Sequence, residues 1–298
     1  QYNQTQINPP SPIKIVYNNV IVTIRNCIFS NLNERANNTG VIFYCSSSYK
    51  VEVNFVSCQF INCGNRKEHS IILIENPNSK CDFNNCTFRF DNSNNSPRSI
   101  DVSCLKCNVY NCEFTNTGRL VLDLPASSTE DINDRQFQIA KSIFTSSFVF
   151  IGDYINSICI DLSIQYQSNI IFEDNIIRNM NFTTDDIQQR CLIKFDFNHH
   201  LSHLDIRNIT FSDNVCDCFY GGGSGMNLID IESVAFYDCK FINNKAKQNS
   251  HQLSAGMDIF NEHQYYNGDG GGIQIGFGCN MNEIAVKFEE CIFRNNCA

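Results

Sequence analysis

A phrase built on Cys-x-Phe, usually followed two residues later by Asn, recurs nine times along the chain and constrains the fold more than any other feature. Six copies are complete: Cys27/Phe29, Cys58/Phe60, Cys86/Phe88, Cys112/Phe114, Cys239/Phe241 and Cys291/Phe293. Ser142/Phe144, Asn175/Ile177 and Ile209/Phe211 are variants of it. Apart from a longer last gap, copies follow one another at roughly 26–34 residues, the range in which a periodic sequence means a solenoid. Cys and Phe stand two apart, so they share one face of a strand, and the aromatic ring makes that face the inner one.

Each repeat also carries a second short apolar strand, as in SIILIEN, SIDVSC, LVLDLP and LIKFDF, set off by turns rich in Asn, Ser, Gly and Asp. Strands this short cannot pair within one repeat. They pair with their counterparts in the next, parallel and in register, so that like residues stack about 4.8 Å apart. The expected architecture is all-β: a right-handed parallel β-helix of about nine coils, with the Cys and Phe inside and the Asn in a ladder at the turn. A β-sandwich is the alternative, and it does not account for one phrase said nine times. The β-helix is expected over residues 13–298 as a single domain. Residues 1–12 form a polar leader whose Pro9, Pro10 and Pro12 cannot donate to a β-ladder.

The chain is 42% apolar with 24 Phe, enough for a continuous core. Its net charge of −9 argues against a nucleic-acid partner, which calls for a basic face. No stretch approaches the ~20 apolar residues of a membrane span. Seventeen cysteines, with Asn-x-Ser/Thr sequons at Asn3, Asn37, Asn85, Asn94, Asn181 and Asn208, point to an extracellular or cell-surface protein carrying N-linked glycans. Disulfides are expected among the cysteines read as loop residues: Cys45, Cys63, Cys81, Cys104, Cys107, Cys216 and Cys218. Their connectivity is open. The inner cysteines are too evenly spread for a zinc site, which brings close pairs from tight turns.

The pattern Phe-x-Asn/Asp-Asn followed by Gly-Gly, seen at Phe211–Asn214 before Gly221–Gly223 and at Phe241–Asn244 before Gly268–Ile273, resembles the repeats of chlamydial polymorphic outer-membrane proteins. The same repeat type occurs in Cys-rich surface proteins of protists. The resemblance implies a right-handed β-helix at a cell surface that acts in adhesion, and it carries no catalytic residues. The expected partners are a host or neighbouring cell-surface protein or glycan, with end-to-end self-association into a filament or coat as a second possibility.

Acidic residues at the centres of the second strands, Asp101, Asp123, Asp161, Asp196 and Asp230, are expected to point outward and line up as a ladder. Such a ladder suits Ca²⁺, a hard cation that takes several carboxylate oxygens; otherwise it is a solvated face. No other cofactor is expected. His199, His200 and His203, with Asp196 and Asp205, form a local cluster read as an exposed polar loop. A polysaccharide lyase or hydrolase is the enzymatic alternative. It needs two carboxylates held in different environments, whereas these five acids stand in near-identical contexts.

Overall fold

The computed structural model describes residues 13–15, 19–32, 41–46, 50–64, 70–91, 98–117, 119–124, 135–147, 149–151, 160–164, 169–184, 193–197, 203–218, 226–229, 231, 233–248, 257–260, 273–275 and 285–297. The described regular structure is strand throughout, in parallel sheets. Each rung of the solenoid consists of three strands, one in each of three sheets. The second rung, for example, is Phe43–Cys45, Val51–Val56 and Gln59–Ile61. The third is Ser70–Glu75, Lys80–Asn84 and Thr87–Arg89. The second and third sheets stack nine strands each, one for every copy of the phrase.

The first sheet stacks ten strands. Its extra strand, Ile273–Ile275, pairs with Met257–Phe260 inside the long last gap. A fourth sheet, Val149–Ile151, Asn181–Thr184, Val215–Cys218 and Lys245–Gln248, follows the third in four of the later rungs. Neither feature is part of the two-strand repeat expected from the sequence.

The phrase and its approach form two strands, because the residue before the Cys turns the chain. Asn26, Ser57, Asn85, Asn111, Lys141, Asp174, Asn208, Asp238 and Glu290 all have φ between 50° and 58°. This left-handed region is one that Asn and Asp tolerate and most residues avoid. A second left-handed corner lies two residues past the aromatic, at Asn31, Asn62, Asn116, Asn179, Asp213, Asn243 and Asn295. The Asn preference of the repeat is therefore first a backbone preference. Side-chain bonds between rungs add to it, such as Asn208 Nδ2 to Asp174 Oδ1 at 2.8 Å and Asn243 Nδ2 to Asp213 Oδ1 at 2.9 Å. At the one corner held by a serine, Ser57→Asn is expected to stabilise the fold by about 1 kcal/mol. A thermal melt checks this, and an unchanged or lower midpoint would contradict the corner argument.

The corner also explains the cysteine. Each thiol reaches across to a carbonyl of the preceding rung: Cys58 to Ile24 O at 3.4 Å, Cys86 to Phe55 O at 3.5 Å, Cys112 to Phe83 O at 3.5 Å and Cys239 to Ile206 O at 3.6 Å. Where Asn175 replaces Cys, its Nδ2 donates to Ile139 O at 2.7 Å, the equivalent carbonyl. The position thus suits a small buried donor, which Cys supplies weakly and Asn more strongly, while Ile209 fills it in one rung by apolar burial alone. The same device recurs three residues past the aromatic, where Cys63 donates to Phe29 O and Asn244 to Phe211 O. The aromatic rings stack beside it. Phe29, Phe60, Phe88, Phe114 and Phe144 lie 4.5–5.3 Å apart and within 9° of parallel.

None of the expected loop disulfides is present among the described residues. Cys45, Cys63, Cys81, Cys104 and Cys107 are free, buried thiols, and among the described residues there is no disulfide. The reason is position. Cys45, Cys81 and Cys107 are inward residues of strands, and Cys63 and Cys104 are inward residues at corners. Burial pushes the Cys45 thiol up to about 11 and the Cys239 thiol up to about 12, so these sulfurs act as apolar donors and not as thiolates. Cys216 and Cys218 fall on the strand Val215–Cys218, and their side chains lie outside the described residues.

The inner series otherwise meets expectation. Cys58, Phe60, Cys86, Phe88, Cys112, Phe114, Cys239 and Phe241 are at most 2% exposed. The end rungs are more open, with Cys27, Phe29 and Cys291 partly buried and Phe293 37% exposed. Among the described residues no helix is long and apolar enough to cross a membrane.

Candidate functional site

The acids of the first sheet do point outward, but the ladder register splits them into two rows. Asp101 pairs with Val121, which pairs with Asp161, which pairs with Lys194. Two residues further on, Ser103 pairs with Asp123, which pairs with Ser163, which pairs with Asp196. No two of these aspartates are direct cross-strand partners, and Asp230 lies outside the described residues.

Three of the four described acids hold protein cations. Arg98 Nη1 lies 2.6 Å from Asp101, Lys194 Nζ lies 3.0 Å from Asp196, and Arg119 pairs with Asp161. Their charged side chains are only 10–23% exposed, so this outer face is largely shielded from solvent. Asp123 is the exception. Its Oδ1 is buried without a hydrogen-bond partner. Burial, and then the charge of Asp101, push its carboxyl above the usual range.

The continuous carboxylate track expected for Ca²⁺ is therefore replaced by separate ion pairs. Among the described residues no group of three or more His, Cys, Asp or Glu is placed to hold a metal ion. Millimolar Ca²⁺ is expected to leave the melting temperature unchanged. A rise of several degrees would restore the cation reading by mass action.

Of the histidine cluster, His199 and His200 lie outside the described residues. His203 is exposed on the second sheet, with Nε2 3.0 Å from Asp205 Oδ1 and Nδ1 2.7 Å from Ser233 Oγ. Burial raises the Asp205 carboxyl, but hydrogen bonds from Arg207 and His203 outweigh it and leave the group lowered. Arg207 in turn lies over the Tyr237 ring at 4.3 Å. His203 thus belongs to a surface network on a strand and not to a loop. Of the sequons, Asn85 and Asn208 are exposed left-handed corners, Asn181 begins a strand of the fourth sheet, and Asn3, Asn37 and Asn94 lie outside the described residues.

The outer face of the second sheet carries a polar row that only the strand register brings together. Thr23, Asn54, Asp82, Asn108 and Gln138 are successive cross-strand partners over five rungs. At the start of the same sheet, a cavity of about 270 Å³ is lined by residues that include Asn19, Ile21, Lys50, Glu52, Asn78 and Lys80. The signal for it was in the sequence, because Lys50, Lys80 and Lys106 stand at or next to the starts of three consecutive second-sheet strands. Fold and surface together define a parallel β-solenoid with a filled interior and patterned outer faces. No protein-family model, no curated protein and no solved structure matches the chain.

Proposed function

We propose that the protein is an extracellular contact protein, acting in adhesion or in a surface layer through the outer faces of its sheets. The observation that carries this reading is the row Thr23, Asn54, Asp82, Asn108 and Gln138 on the second sheet. Five hydrogen-bonding side chains, exposed at Thr23 and half-buried at the other four, recur at the spacing of the strands, about 4.8 Å, on a face with no neighbouring sheet among the described residues. A repetitive partner, such as a cell-surface glycan, meets the same groups again and again, so weak contacts add along the rod. The resemblance of the repeats to those of polymorphic outer-membrane proteins supports the same reading, and so do the exposed sequon residues Asn85 and Asn208 as sites for N-linked glycans.

A glycan array probed with and without Ca²⁺ tests the proposal. Binding that falls when Asn54 and Asn108 are replaced by Ala supports it. Absence of binding to glycans and to intact cells would count against it. Cleavage of a bound polysaccharide, abolished by Asp123→Asn, would replace it with the enzymatic reading.

A second reading, stacking of rung on rung, is favoured by one observation. Phe288 and Phe293 of the last described rung are both 37% exposed, whereas their cross-strand counterparts Phe236 and Phe241 are fully buried. That face accepts a further rung, whether from the same polypeptide or from a second copy. Light scattering at rising concentration separates the two, since a monomer at all concentrations excludes the second copy.

A further inference from the structure

We propose that the cavity at the start of the second sheet binds the carboxylated ring of an acidic sugar. Charge is the first argument. Lys80 stands across from Glu52 on one side and from Lys106 on the other, and the two like charges, as direct cross-strand partners, repel. Lys80 is exposed and held by no ion pair among the described residues. Lys80 and Lys50 both line the cavity, with Lys106 one strand further along the sheet. The nearby carboxylates already accept hydrogen bonds from neighbours, Glu52 from Asn54 at 3.0 Å and Asp82 from Asn108. In a chain of net charge −9, this cationic step stands out, and a bound carboxylate relieves it.

Shape and polarity supply the second argument. Ile21 is 70% exposed, the most exposed large hydrophobic side chain among the described residues, and it forms one wall of the cavity. It offers an apolar surface to the C–H face of a ring. Glu52, Asn19 and Asn78 line the same space and suit hydroxyl groups, which a bare inorganic anion does not have. The volume of about 270 Å³ is just below the ~300 Å³ at which sites for drug-sized ligands begin. It therefore takes one ring and not a whole oligosaccharide.

The inference rests on the contact reading only for the source of the sugar, a surface glycan. The test is a titration of the full chain with methyl glucuronide, followed by chemical shifts of the residues lining the cavity. Methyl glucoside, which carries a hydroxymethyl group in place of the carboxylate, and inorganic sulfate serve as comparison probes. The expected result is saturable binding of the glucuronide, weakened about tenfold by Lys80→Gln, the loss of one charge-assisted hydrogen bond, and weakened also by Ile21→Ser. Equal binding of the glucoside overturns the role of the carboxylate, and equally tight binding of sulfate overturns the role of the ring. No binding, or binding indifferent to Lys80→Gln, overturns the site. Glycan-array binding that survives Lys80→Gln leaves the contact reading intact while this inference fails. Glucuronide binding without any array signal does the reverse.

Discussion

Phe88→Ala is expected to destabilise the solenoid by about 3–5 kcal/mol, the usual cost of removing a buried aromatic side chain. Phe88 is fully buried and is the middle ring of the five-ring stack that runs from Phe29 to Phe144, with Phe60 at 4.5 Å and Phe114 at 5.0 Å. Truncation removes the ring's own burial and both stacked partners, each pair contributing about 0.5–1.5 kcal/mol beyond area. Rungs pack only on their neighbours, so relaxation into the cavity is confined to the rungs on either side. Urea unfolding followed by circular dichroism measures the loss, and hydrogen exchange locates it. Protection should fall most in the strands carrying Phe60 and Phe114. A loss below about 1 kcal/mol, the level of a typical point substitution, would mean that the column is not a close-packed spine.

Asn244→Ala is expected to cost about 2–4 kcal/mol, although it removes far less apolar surface. Asn244 is fully buried. It donates to Phe211 O at 3.2 Å and to Asn296 Oδ1 at 3.1 Å, and its own Oδ1 accepts from Asn214 Nδ2 at 3.0 Å. Removing the amide leaves several buried polar groups of neighbouring rungs without partners, and each costs about 1–3 kcal/mol when it cannot reach water. The adjacent Asn243 is the internal control. It sits at a left-handed corner, more open to solvent, where Gly has no steric penalty. Asn243→Gly is expected to change stability by no more than about 0.5 kcal/mol. Equal effects at the two positions would show that the buried amide ladder adds nothing beyond the corner preference.

These two substitutions mark where the sequence was readable. Period-two alternation in VNFVSCQF identifies the inner face, and nine copies identify the stacking, because strands with no partner in their own repeat must find one in the next. The corner before the Cys was not readable as a corner. Asn and Asp fill six of its nine places, but Ser57, Lys141 and Glu290 hide the pattern, and alternation alone makes the phrase one strand where the chain makes two. The buried cysteines were misjudged for a related reason. Cys45, Cys81 and Cys107 looked like loop residues because they lie outside the phrase, and only the strand register shows them facing inward.

The acid row failed on a subtler point. A slip of one residue moves every side chain of a strand to the opposite face, so alternation detects it. A slip of two returns each side chain to its own face, and alternation is blind to it. Asp101 and Asp123 are therefore both outward, as expected, yet Asp123 pairs with Ser103 and stands diagonal to Asp101. That offset separates their environments, leaving Asp101 paired with Arg98 and Asp123 without a partner at Oδ1.

Repeat spacing and period-two alternation are enough to specify a parallel β-solenoid and the residues of its spine, because both are local properties of the chain. Which outward residues meet depends on the stacked rungs, because neighbours on the outer faces come from different rungs and their register depends on how many residues each corner consumes. The paired acids of the first sheet, the polar row of the second and the lysine-lined cavity beside it all follow from that register.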